Sequence, residues 1–184
     1  MQFRKCSGII IGVQRRGECD RSISLFTAEY GRLYVTAKGV RTIRSKRSYH
    51  IDLFNSVDVE IQETARGLYL REISTNKSFA SIAREPEQFS GACLISSFLQ
   101  RSIPLDTPQP ILYEITLKTF EVLSGKCITN DVLLTYFLKC ARHLGFLPNN
   151  IAKKDIRQNL LNMFQEIDPQ FTLNARSTLG IFSI

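Results

Sequence analysis

Five cations, Lys38, Arg41, Arg44, Lys46 and Arg47, fall within ten residues with no carboxylate among them. Ammonium and guanidinium groups in such a run can follow a flexible polyanion, neutralise several of its phosphates and release counterions. Arg15 and Arg16 form a second basic pair upstream. Tyr34 and Tyr69 lie near Arg32 and Arg71, a ring beside a cation in each case. That combination suits an unpaired base stacked on the ring with its phosphate on the guanidinium. Read without a ligand, the same run is a solvated loop, and each tyrosine is an amphipathic barrel-surface residue.

The motifs of covalent and metal-assisted catalysis are missing. The sequence contains no G-x-G-x-x-G, no G-x-x-x-x-G-K-[ST], no G-x-S-x-G and no H-E-x-x-H. Its two histidines, His50 and His143, have no ligand or orienting partner at a useful spacing and read as structural or surface residues. Cys6, Cys19, Cys93, Cys127 and Cys140 are odd in number and widely spaced, which argues against a disulfide framework or a zinc knuckle. They read as small buried apolar groups in a reducing cytoplasm. A non-enzymatic protein without a cofactor or small-molecule substrate is expected.

Charge distribution agrees with a localised binding face. Residues 1–50 carry eleven basic side chains against three acidic ones, whereas the remaining 134 residues sum to minus one. The net charge of +7 therefore resides in the first part of the chain. No apolar run reaches the eighteen or so residues of a membrane span, and Ile9–Ile11 is too short for a signal-peptide core.

The elements that must position these residues are legible as periodicities. The six prolines all lie at or beyond Pro86, and the repeat changes from strand to helix nearby. Strands are expected over 3–14, 21–27, 32–39, 49–62 and from 68 to about 75, with 15–20 a loop and 40–48 a basic connection. Over 32–39 Leu33, Val35 and Ala37 face inward while Arg32, Tyr34, Thr36 and Lys38 face outward. In the next strand Val57, Val59 and Ile61 oppose Asp58, Glu60 and Gln62. In the last, Leu68, Leu70 and Glu72 oppose Tyr69, Arg71 and Ile73. Five short antiparallel strands in about 75 residues suit an OB barrel.

Helices are expected where Phe89, Cys93, Phe98 and Leu99, then Ile111, Ile115, Phe120 and Leu123, repeat at helical spacing. A third carries Val132, Leu134, Leu138, Ala141 and Leu144, with Thr129 or Asn130 as its cap and a left-handed stop at Gly145. A fourth spans 153–167. The fold class is α+β: a five-stranded OB barrel over 1–78 followed by an all-helical domain over 79–184.

One run of residues carries a family resemblance. Gly17, Glu18, Cys19, Asp20 and Arg21, then Leu25, Phe26 and Thr27, then Tyr30, Gly31 and Arg32, then Ala37, Lys38, Gly39, Val40, Arg41 and Ser45 resemble the N-terminal signature of RecO recombination mediators. A weaker similarity continues through Gly67, Leu68 and Tyr69. It resumes at Tyr136, Leu138, Lys139, His143, Leu144, Gly145 and Phe146, which resemble the family's helix ending in a Leu, Gly, aromatic triplet.

The resemblance implies a DNA repair protein that binds and anneals single-stranded DNA. It further implies partners: the acidic C-terminal tail of the single-strand-binding protein SSB, and RecR, with which it would load RecA. Many relatives carry a four-cysteine zinc module after the triplet. Residues 148–184 contain no cysteine, so no metal is expected here. Lys139 and Arg142, three apart on one helix, are expected to flank an apolar pocket for the SSB tail. A cytoplasmic, nucleoid-associated location follows.

DNA contacts are thus expected at Arg15, Arg16, Arg32, Tyr34, Lys38, Arg41, Arg44, Lys46, Arg47, Tyr69 and Arg71. The residues alone leave two alternatives open: an adaptor docking acidic protein tails, and an RNA-binding OB protein.

Overall fold

The computed structural model describes residues 2–42, 45–125, 129–148, 156–172 and 175, with only the backbone described for Lys46 and Arg157. Among them are five strands, β1 (Gln2–Arg16), β2 (Asp20–Thr27), β3 (Gly31–Ala37), β4 (Ser56–Thr64) and β5 (Gly67–Lys77), followed by the helices α1 (Pro86–Ser102), α2 (Pro110–Leu123), α3 (Thr129–His143) and α4 (Ile156–Ile167). Residues 169–172 are helical as well. The strands close in the order β1-β2-β3-β5-β4, the OB barrel expected from the sequence.

Closure depends on β1, which is long enough to serve two neighbours. Gln2–Ile9 pair with β4 and Gly8–Arg16 with β2, and a bulge between Ile10 and Gly12 bends the strand from one partner toward the other. A short parallel contact, Val35 opposite Leu68 and Thr36 opposite Tyr69, completes the ring. Inside it pack Ile10, Ile23, Leu25, Leu33, Val35, Ala37, Val57, Val59, Ile61 and Leu70. The alternation expected in β3 and β4 is observed.

Three local departures matter for the site. First, the strand expected from Tyr49 begins only at Ser56; Lys46–His50 is a 3-10 turn. Residues 51–55 instead turn into the barrel end, where Ile51 and Phe54 are buried and Phe54 takes a φ of 73°. Phe54 N donates to Ile10 O, and Ile10 N donates to Asn55 O. Second, Arg15 and Arg16 are ladder residues opposite Arg21 and Asp20 rather than loop residues. Third, β5 pairs Leu70 with Ile61 but Glu72 with Glu60, so Arg71 is the extra residue of a bulge. Beyond it the faces exchange: Ile73 packs on the core and Glu72 turns outward.

The chain divides into two compact units, 1–80 with 103–113, and 81–102 with 114–184. Residues 103–113 return to the barrel because their backbone pairs with β3. Leu105 bridges Arg32, Asp106 N donates to Arg32 O, and Arg32 Nε donates to Ile103 O at 3.0 Å. Gly31 admits this approach: its φ is +62°, and a Cβ there would lie 1.8 Å from Thr107 O.

Helices α1 and α2 both begin at a proline, where the missing N–H has no helical partner to lose. Phe98, Tyr136, Phe137, Phe164 and Phe171 form an aromatic core with centroid separations from 5.0 to 6.4 Å. The buried face of α3 is Leu133, Tyr136, Phe137, Cys140 and Ala141, rotated from the expected Val132, Leu134, Leu138 stripe. The large aromatic pair decides the phase, since it buries more area than the smaller side chains opposite. Phe89 and Ile111, read as core, are 39% and 56% exposed. Gly145 stops α3 at a φ of 82°, with Phe146 N donating to Ala141 O. Residues 153–155 of the expected fourth helix lie outside the described residues.

Candidate nucleic-acid interface

β3 supplies the axis of the site because alternation sends Arg32, Tyr34, Thr36 and Lys38 to its outer face. Ladder pairing then sets neighbours beside Thr36. Tyr69 of β5 lies directly opposite it, and Arg16 of β1 reaches across β2 to donate to Thr36 Oγ1 at 2.8 Å. The row from Tyr34 to Lys38 spans about 13 Å at the usual rise of an extended strand. Arg32 Nη1 donates to Tyr34 Oη at 2.7 Å and its guanidinium carbon stands 5.2 Å from that ring's centroid. Lys38 Nζ lies 4.6 Å from the Tyr69 centroid.

Each ring therefore already carries a cation on one face. Tyr34, 48% exposed, leaves the rest of its surface open to solvent. Tyr69 is half-buried and serves mainly as a seat for Lys38.

Beyond Lys38 the described part of the basic connection is fastened by arginines. Arg47 donates from Nη2 to Lys38 O at 2.9 Å and from Nη1 to Leu70 O at 3.2 Å. Arg41 Nη1 reaches Gly17 O at 3.3 Å, and Arg21 Nη1 reaches Ile51 O at 3.3 Å. Asp20 accepts from Gly39 N at 2.8 Å, so its carboxylate is spent on the turn. A guanidinium has five N–H donors, so Arg41 and Arg47 keep further donors while holding the backbone.

Between this connection and the β4–β5 hairpin opens a cleft of about 520 Å³. Lys38, Arg47, Arg66 and Arg71 line it together with Tyr69, Gln62 and Thr64. Among the described residues, none of Arg16, Lys38, Arg41, Arg47, Arg66 and Arg71 is paired with a carboxylate. Arg4 and Lys5, by contrast, are neutralised. Arg4 contacts Glu63 at 2.8 Å and Asp106 at 2.9 Å, which raises its pKa, and Lys5 contacts Glu60 at 3.1 Å. A separate cleft holds Lys5, Glu29, Asp58, Glu60 and Glu72, so unpaired positive charge and carboxylates occupy different parts of the barrel surface.

The structure thus brings together Arg16, Arg32, Tyr34, Lys38, Arg47, Tyr69 and Arg71, with Arg41 beside them. Arg15 alternates away from Arg16 and sits opposite Arg21. Arg44 lies outside the described residues, as does the Lys46 side chain. Arg66 and Gln62 were missed by sequence reasoning, although Arg66 occupies the hairpin turn between two strands correctly expected. Lys139 and Arg142 are exposed on α3, and Phe146 just beyond them is 38% exposed.

Burial disfavours the thiolate at three of the described cysteines. Burial pushes Cys6 up to about 11 and Cys140 up to about 12, and raises Cys93. Cys19 departs from the buried expectation: it is exposed in the turn after β1. Cys127 lies outside the described residues.

The barrel and part of the helical region are similar to known proteins. Residues 1–79 match the family described as recombination protein O, N terminal. The barrel of this chain is thus similar to the N-terminal domain of RecO proteins. A DNA repair protein RecO of Syntrophobacter fumaroxidans is 27% identical over 148 residues, 80% of this chain and 59% of the relative. The RecO of Desulfitobacterium hafniense is 26% identical over 152 residues, 83% of this chain and 55% of that one. Caldanaerobacter subterraneus has a RecO 27% identical over 149 residues, 80% and 60% of the two chains. This chain thus spans less than two thirds of the length of these relatives. The RecO barrel motif quoted from the sequence maps onto β2, β3 and the basic connection, the part of the fold that builds the site. Among the described residues, no helix is long and apolar enough to cross a membrane.

Proposed function

We propose that this chain is a recombination mediator of DNA repair that binds single-stranded DNA along β3 and into the cleft beside the β4–β5 hairpin, and anneals complementary strands there. The observation that carries the reading is the set of cations without carboxylate partners, Arg16, Lys38, Arg41, Arg47 and Arg71, around Tyr34 and Tyr69. Phosphates would replace counterions at the guanidinium and ammonium groups, while bases stack on the exposed ring of Tyr34. A duplex hides its bases and gives the ring nothing to stack on. Two bound strands would meet with their mutual repulsion reduced, which is all that annealing requires; no covalent step is involved.

The names of the relatives support the repair role, and cooperation with SSB and RecR in loading RecA extends it to partners. For the SSB tail the reading places Lys139 and Arg142 on the acidic residues of the peptide and Phe146 near its apolar end.

The test is annealing of complementary oligonucleotides coated with SSB. Wild type is expected to accelerate duplex formation, and Lys38→Ala with Arg71→Ala to lose most of that acceleration. Equal acceleration by both proteins would overturn the assignment of this face. Tighter binding to RNA than to DNA of the same sequence would favour a translation-related OB protein instead.

A further inference from the structure

Tyr34 and Tyr69 each carry a cation on one face. Tyr49 has no such partner among the described residues. It is 79% exposed, the most exposed of the large hydrophobic side chains, and it makes no hydrogen bond, ring contact or cation contact among the described residues. Its backbone is nevertheless fixed on both sides. Arg47, two residues before, is bonded to the carbonyls of Lys38 and Leu70. His50, immediately after, shares a hydrogen bond of 2.9 Å between Nδ1 and Thr75 Oγ1 on β5, and Ile51 is buried in the barrel.

We infer that Tyr49 is a base-stacking platform at the end of the strand path, receiving the base next to the nucleotide whose phosphate lies in the Arg47–Arg71 cleft. The inference rests on the single-strand reading and deepens it. Two arguments carry it. Exposure of a whole aromatic ring to water gives no folding stability, so the barrel itself does not require it. The surroundings select a polyanion: residues 38–51 contain no carboxylate. A ring held on an anchored turn loses little freedom when a base covers it.

The experiment uses the absence of tryptophan from the chain. Tyr49→Trp gives a single indole reporter, titrated with oligothymidylate, alongside affinity measurements on Tyr49→Ala and Tyr49→Phe across a range of salt. Stacking predicts quenching of the indole at saturation. It also predicts a loss of about 5- to 150-fold in affinity for Tyr49→Ala, the range for one stacked base, and near-wild-type binding for Tyr49→Phe. The slope of log affinity against log salt should be unchanged by Tyr49→Ala, whereas Arg71→Ala should lower it by about 0.7. Unchanged emission with Tyr49→Ala within twofold of wild type, while Arg71→Ala still weakens binding, overturns the platform and leaves the single-strand reading standing. Failure of wild type to bind the oligonucleotide at all overturns both.

Discussion

Arg47 tests whether the basic connection is a structural bracket as well as the proposed phosphate contact. Its guanidinium spans the carbonyls of Lys38 and Leu70, tying the connection to both strands that flank the cleft. Hydrogen bonds from a charged donor contribute about 1.5–3 kcal/mol each when well shielded. The side chain is only half-buried, so water replaces part of what is lost, and Arg47→Ala is expected to cost about 1–2 kcal/mol in total. For a unit of this size that corresponds to a fall in Tm of roughly 4–16 °C. Arg71→Ala is the control: its side chain is exposed and forms no hydrogen bond among the described residues, so stability should stay within about 0.5 kcal/mol. Thermal melts of both variants, followed by oligonucleotide titrations at several salt concentrations, separate the roles. Both should reduce the salt slope by about 0.7, but only Arg47→Ala should melt earlier. A melt of Arg47→Ala indistinguishable from that of Arg71→Ala would refute the bracket.

Gly31→Ala must take a left-handed backbone conformation and push its Cβ against Thr107 O, so it should destabilise the barrel by more than about 2 kcal/mol, read as a shift in urea midpoint. In the helical unit the hydrogen bond from Arg101, with help from Gln170 N, holds the Asp168 carboxyl below its usual value. Because the folded value is depressed, that contribution is complete above the ordinary carboxylate pKa of 3.8 and disappears as pH falls through the lowered value. Asp168→Asn should therefore flatten this part of the acid unfolding curve measured by circular dichroism; superimposable curves would contradict it. Cys19, exposed beside the carbonyl that accepts from Arg41 N, should alkylate before Cys6 and Cys140 and be protected by bound oligonucleotide.

Where the chain alternates without interruption, its faces were legible. Leu33, Val35 and Ala37 inside, and Tyr34 and Lys38 outside, follow from period two alone, and the cleft inherits its charge from them. Alternation is only as good as the register, and a bulge resets it. The extra residue at Arg71 moved Ile73 inward and Glu72 outward, which no local pattern announces. Tyr49 was concealed for a different reason. Residues 49–55 read as strand by composition, but closing the barrel end needs Ile51 and Phe54 in the core, and the chain turns to put them there. Residues 103–113 joined the barrel through backbone pairing to β3, for which side-chain periodicity carries no signal. The α3 phase was misread because Leu and Val at helical spacing outnumbered the aromatic pair that actually fills the core.

The most direct measurement is the salt dependence of binding to a single-stranded oligonucleotide, with a duplex of the same sequence in parallel. Engagement of about four to six phosphates predicts a slope of log affinity against log salt of roughly −3 to −4 and tighter binding to the single strand than to the duplex. A slope near zero, or a preference for the duplex, would contradict the account.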